Sequence, residues 1–220
     1  MATPALASSE DIHRYLVERL NFALRKPEVL GGELGIRMVL DHLLFLERQP
    51  DGLLEEQHRL AERGAWTSCG VIGAFDGVLP GKDVKAVASV YAEFAHRRGW
   101  LESDRVLTGS EYDALRGKVG HWAGRDRSWS DVVAEFGPPS VLLGSTNPWY
   151  EKTLGYLGED ADEPMVFFHL WNGADPGDES RWPAHDEPVL LAVRCGDDGP
   201  FAEAFVFTPS GRRWRDTPAT

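Results

Sequence analysis

The chain has 220 residues, 42% of them hydrophobic and 26% charged. That balance belongs to a folded protein large enough to bury a core without disulfide staples. It carries 23 Lys and Arg against 35 Asp and Glu, a formal net charge of −12, which argues against a general phosphate-backbone binder and against docking on anionic lipid.

In chain order, Ser8 and Ser9 offer a helix cap before Ile12, Tyr15, Leu16, Leu20, Ala23 and Leu24. Those positions recur at helical spacing, and Pro27 ends the helix. Glu33–Arg48 is apolar almost all round, the pattern of a central, buried helix. Pro50, Asp51 and Gly52 make a turn, and Leu53–Arg63 reads as a polar helix closed by Gly64. Ala65–Gly81, rich in glycine and small apolar residues, fits a short helix or a buried loop. Val84–Arg98 is helical again, with Val84, Val87, Ala88, Tyr91, Phe94 and Ala95 on one side.

Thr108 and Glu111 have capping-box spacing and open a helix carrying Tyr112, Leu115, Val119 and Trp122. Ser128 and Asp131 repeat the device before Trp129–Phe136, which Gly137-Pro138-Pro139 stops. Short β-rich runs follow: Ser140–Gly144, Thr153–Leu157, Met165–Trp171, Val189–Cys195 and Phe201–Thr208. Their spacing suits an antiparallel meander of four to five strands. Met165–Trp171 is nearly continuous in apolar residues, as in a strand buried on both faces. The expected fold is α+β. A helical region (1–127) leads to a capped helix plus antiparallel sheet (128–208), and a loose tail (209–220) follows, all in one compact unit.

Cys69 and Cys195 lie far apart and form no CxxC site, so two reduced thiols of a cytoplasmic protein are expected. The N-terminus lacks the basic region and apolar core of a signal peptide. Arg outnumbers Lys 18 to 5, a coding habit of GC-rich bacterial genomes.

Local chemistry is sparse. Asp41-His42 on the apolar helix and His169 on the strand Phe167–Trp171 are the candidates for an acid/base or ligand pocket between helices and sheet. Adjacent helix residues point about 100° apart, so Asp41 and His42 do not meet each other. Strand alternation puts Phe167, His169 and Trp171 on one face. The plainer reading is a polar helix edge and a hydrogen-bonded core histidine. His185 has carboxylates beside it but no second His at ligand spacing, so no metal is expected. Cys69 shows neither a base nor a cause for a lowered pKa. No nucleotide-binding glycine pattern and no nucleophile elbow is present, and no cofactor is expected.

The aromatic and acidic inventories say more. There are eight Trp, and Trp149, Tyr150 and Trp182 fall in loops between strands, where aromatics anchor interfaces. From Glu159 to Glu203 twelve acids face only Arg181 and Arg194, so this segment carries −10 of the net charge. Asp160, Asp162, Asp178 and Glu179 are the candidate steering charges for a basic partner. Alternate hairpin loops project from opposite ends of a meander, so the acids can form two clusters.

The run Ser128-Trp129-Ser130-Asp131-Val132-Val133-Ala134-Glu135-Phe136-Gly137-Pro138-Pro139-Ser140 resembles the helix-to-sheet junction of the β-lactamase-inhibitor-protein and BamE-like modules. That resemblance, which covers at most residues 109–208, implies helices packed on a curved four-stranded sheet and a role in binding other proteins. In size and acidity the chain is similar to bacterial immunity proteins that neutralise toxin domains. The leading expectation is therefore a non-enzymatic, immunity- or antitoxin-like protein. Its partner is a basic protein, such as a toxin or nuclease domain, held by Trp149, Tyr150, Asp160, Asp162, Asp178, Glu179 and Trp182. The alternatives are an enzyme or small-ligand binder using Asp41, His42, His169 and Trp171, and a subunit of a homo-oligomer.

Overall fold

The computed structural model describes residues 7–80, 83–174, 182–196 and 199–216. Ser8 and Asp11 form a capping box that opens α1 (Ser9–Arg25). A 3-10 turn (Pro27–Leu30) leads to α2 (Glu33–Leu46) and α3 (Gly52–Glu62). In the glycine-rich stretch that follows, Ile72–Phe75 forms a 3-10 turn. Its backbone is held by Glu33, whose two carboxylate oxygens accept from Val71 N (2.9 Å) and Ile72 N (3.0 Å).

The central helix is α4 (Val84–Arg97), not α2. Every residue of α4 from Lys85 to Ala95 is buried, whereas α2 buries Ile36, Leu40, Leu43 and Leu44 and leaves Leu34, Met38 and Phe45 exposed. Small residues at Ala86, Ala88, Ser89, Ala92 and Ala95 let neighbours approach α4 from all sides. It packs against α1, α2 and the sheet. The expectation of a buried α2 rested on apolar content, which does not register side-chain size.

The capping boxes Thr108/Glu111 and Ser128/Asp131 open α5 (Gly109–Trp122) and α6 (Trp129–Phe136) as their spacing predicts. Five antiparallel strands follow in meander order: β1 (Val141–Gly144), β2 (Lys152–Tyr156), β3 (Val166–Trp171), β4 (Val189–Cys195) and β5 (Phe205–Phe207). The last strand is short because Phe201–Ala204 coils into a 3-10 turn. The α+β architecture expected from the sequence is therefore present.

The sheet has a hydrophobic core on each face. Phe167 belongs to the core shared with α1, α2 and α4. Val166, Phe168 and Leu170 belong to the core built with α5 and α6, where Phe168 meets Trp122, Phe136 and Tyr156 ring to ring. Helices on both faces explain why β3 is apolar at consecutive positions. No helix among the described residues is long and apolar enough to cross a membrane.

The expected loose tail is a helix, α7 (Pro209–Asp216), docked on the sheet. Between β3 and β4 the register shifts, pairing His169 with Ala192 and Leu170 with Leu190, so Leu191 is the extra residue of a bulge. Its carbonyl accepts from Thr208 N (3.0 Å) and Thr208 Oγ1 (3.2 Å). Thr208 Oγ1 in turn accepts from Gly211 N (3.1 Å), and Trp214 packs on Trp171 with ring centroids 5.9 Å apart. A Cβ on Gly211 would sit 1.9 Å from the Leu191 carbonyl oxygen. Gly211→Ala should therefore push α7 off the bulge, at about 1–3 kcal/mol as for other overpacked sites. Denaturant unfolding, with near-ultraviolet circular dichroism of the Trp171–Trp214 pair, checks this; an unchanged signal and midpoint would show that α7 does not dock there.

Candidate partner-binding surface

The meander sends its connections to opposite ends. Gly144 pairs with Lys152 and Trp171 with Val189, so the β1–β2 and β3–β4 connections leave from one end. Tyr156 pairs with Val166, so the β2–β3 connection leaves from the other.

At the first end the β1–β2 loop is an Asx turn, in which Trp149 N donates to Asn147 Oδ1 (3.0 Å). Lys152, wholly buried at the start of β2, donates from Nζ to Asn147 O (2.7 Å). Its ammonium lies 3.7 Å from the centre of the Trp129 ring. Burial pulls the pKa of Lys152 down to about 8 against the attraction of Glu187, so it remains charged at neutral pH.

Asn172, just past β3, latches this loop to the next. Its Nδ2 donates to Trp149 O (2.8 Å) and to His185 O (3.1 Å), and its Oδ1 accepts from His185 N (2.8 Å). Glu187 fastens the same connection to the start of α6 by accepting from Ser130 N (2.9 Å) and Ser130 Oγ (2.6 Å). Burial alone would raise the Glu187 pKa, but these hydrogen bonds outweigh it and hold the carboxyl below its ordinary range. Three large aromatics stand on this braced base. Trp149, Tyr150 and Trp182 are all exposed, and the Tyr150 and Trp182 rings lie 4.8 Å apart. Asp186, beside the latch, is exposed too.

A cleft of about 370 Å³ adjoins Tyr150, lined also by Lys26, Glu28, Lys85, Ser145 and Glu151. Its charges are largely internal: Lys85 pairs with Glu28 (2.9 Å) and Glu151 (3.2 Å), and Lys26 donates to Gly144 O (2.7 Å). A second cleft, on the α5–α6 side, is edged by Arg105, Lys118, Glu111 and Glu135. There Arg105 pairs with Glu111 at 2.6 Å, and Lys118 pairs with Glu135.

Of the seven residues expected to hold a partner, the five described do not form one surface. Trp149, Tyr150 and Trp182 share the braced end. Asp160 and Asp162 are exposed on the β2–β3 connection at the opposite end, where Asp162 N donates to Asp160 Oδ1 (2.9 Å). Asp178 and Glu179 lie outside the described residues. Arg194, counted among the bases opposing the acidic loops, is buried and paired with Glu93 at 2.8 Å, so it neutralises nothing outside.

The expected pocket does not assemble. Asp41 and His42 are exposed on the outer side of α2. His169 is buried, its ring between Phe75 and Phe205 at centroid distances of 6.0 and 5.9 Å. Thr153 Oγ1 lies 3.2 Å from its Nδ1, and its Nε2 has no hydrogen-bond partner among the described residues. Burial, helped by Arg194, pulls its pKa down to about 3, so it is a neutral core imidazole. Trp171 is half-buried against Trp214.

Asn172, Glu187 and Lys152 were not singled out from the sequence. Asn172-Gly173 after an apolar strand marks a turn, but nothing local marks a side chain that bonds two loops. No family model, no curated protein and no solved structure matches this chain.

Proposed function

We propose that this chain is a binding protein, similar in role to bacterial immunity proteins, and that it engages a basic protein partner through Trp149, Tyr150 and Trp182. The observation that carries this reading is the latch: three exposed aromatics stand on two loops joined by buried Asn172. Aromatics held in advance lose little freedom on binding, which is what an interface anchor requires. Exposed Asp186 beside them favours a cationic partner over an acidic one. The helix-to-sheet junction at residues 128–140, similar to that of modules that bind proteins, supports the same role. Asp160 and Asp162 stand at the other end of the sheet and play no part in this surface.

The test is affinity capture from the native cell, followed by titration calorimetry with the captured protein. Trp149→Ala with Trp182→Ala should weaken binding by about 30-fold or more, the loss expected for anchors worth about 2 kcal/mol or more. Asp160→Lys with Asp162→Lys should leave the affinity within about twofold, because exposed charges far from a contact are screened. Full binding by the aromatic variant would sink the reading.

A further inference from the structure

The outer face of α2 carries a second apolar stripe, which the described residues leave exposed. Leu34, Met38 and Phe45 are 65%, 54% and 75% exposed. With Asp41 they are spaced by four, three and four residues, and at 3.6 residues per turn all four fall within about 60° of one another. That is the spacing found along the seam between two packed helices. The stripe also explains why the α2 sequence is apolar all round: one side serves the core, and the other faces out.

The charges flanking the stripe say what covers it. Arg37 lies with its guanidinium 4.8 Å from the Trp66 ring centre, and its buried Nε has no hydrogen-bond partner among the described residues. Asp41 sits one turn further along the same flank and is exposed. Among the described residues neither forms an ion pair, although they stand four apart on one helix.

We propose that α2 pairs with α2 of a second copy of this chain, antiparallel, across a two-fold axis between Met38 and Asp41. In that register Leu34 meets the partner's Phe45, and Phe45 meets the partner's Leu34. Antiparallel pairing brings like flanks together, so Asp41 lies level with the partner's Met38 and beside its Arg37, one residue away on the matching flank, and symmetry repeats the pair. Parallel pairing would set Asp41 against its own copy, a like-charge contact that disfavours it. The stripe is thus complementary to itself in one orientation, which a surface shaped for an unrelated partner has no reason to be. The pairing is argued from Leu34, Arg37, Met38, Asp41 and Phe45, none of which belongs to the proposed partner site, so its variants test it separately from that site.

Sedimentation velocity and light scattering on the full chain, from low to high micromolar concentration, test it. The wild-type chain should be a dimer. Phe45→Glu and Asp41→Arg should each raise the dimer dissociation constant at least tenfold. The exchange of Arg37→Asp with Asp41→Arg should restore it. Thermal melting and far-ultraviolet circular dichroism establish that each variant is folded, and Phe45→Glu tests the seam without disturbing Arg37 on Trp66. A wild-type monomer at every concentration overturns the proposal, including one in which a different protein occupies α2. A dimer indifferent to Phe45→Glu overturns it as well, and an exchange variant that folds but stays monomeric overturns the antiparallel register.

Discussion

Arg194→Met is expected to lower the unfolding free energy by about 3–5 kcal/mol, the usual cost of removing one partner of a buried ion pair. Arg194 on β4 and Glu93 on α4 are both almost wholly buried, with Nη1 and Oε2 2.8 Å apart. The guanidinium also lies over the Phe167 ring, 4.7 Å from its centre. Glu93 Oε1 accepts from Met165 N (3.2 Å), so the carboxylate holds the start of β3 as well. Methionine fills the volume but leaves that carboxylate without its counter-charge in the core. Urea unfolding with linear extrapolation measures the loss. Adding Glu93→Gln to Arg194→Met removes the orphaned charge and keeps an oxygen for Met165 N, so the double variant should be more stable than Arg194→Met alone. A loss below about 1 kcal/mol for Arg194→Met, as for exposed pairs, would mean that water reaches the site.

Asn172→Ala is expected to cost about 2–4 kcal/mol and to loosen the aromatic surface. It removes two donated hydrogen bonds and one accepted, leaving His185 N and the carbonyls of Trp149 and His185 unanswered. Each buried polar group left unpaired costs about 1–3 kcal/mol, less where water can reach it once the loops part. Asn172→Asp separates the two sides of the latch: it keeps the acceptor for His185 N but turns a carboxylate toward two carbonyls. Both variants should lose near-ultraviolet signal from Trp149 and Trp182, and both should bind a captured partner more weakly than the wild-type chain. A native aromatic signal in Asn172→Ala would show that the loops keep their positions without the side chain.

The parts of this fold that were legible in the sequence are those whose cause is local. Thr108/Glu111 and Ser128/Asp131 close capping boxes within four residues of chain, so their spacing alone locates α5 and α6. The run from Met165 to Trp171 carries its burial on both faces in its composition. Thr208-Pro209 is a cap followed by a favoured first helical residue, but these two alone do not distinguish a docked helix from a loose tail. What makes α7 stay is the carbonyl freed by a bulge at Leu191, and neither the bulge nor its register is visible in residues 209–216.

By itself the sequence determined the first six helices, the α+β class, the antiparallel order that short connections impose and the net charge of −12. These follow from periodicity, caps and turn residues, all of which act within a few positions of chain. Only the tertiary structure decided which groups meet. It set Asp160 and Asp162 at one end of the sheet and the exposed aromatics at the other, buried Arg194 against Glu93, and dispersed Asp41, His42 and His169. It also turned the surplus apolar residues of α2 outward. The reason is that contact between distant residues depends on strand register, on helix rotation and on which neighbour covers each face. Those are settled by packing the whole chain at once, because each buried face must find a partner while each buried charge finds its counter-charge.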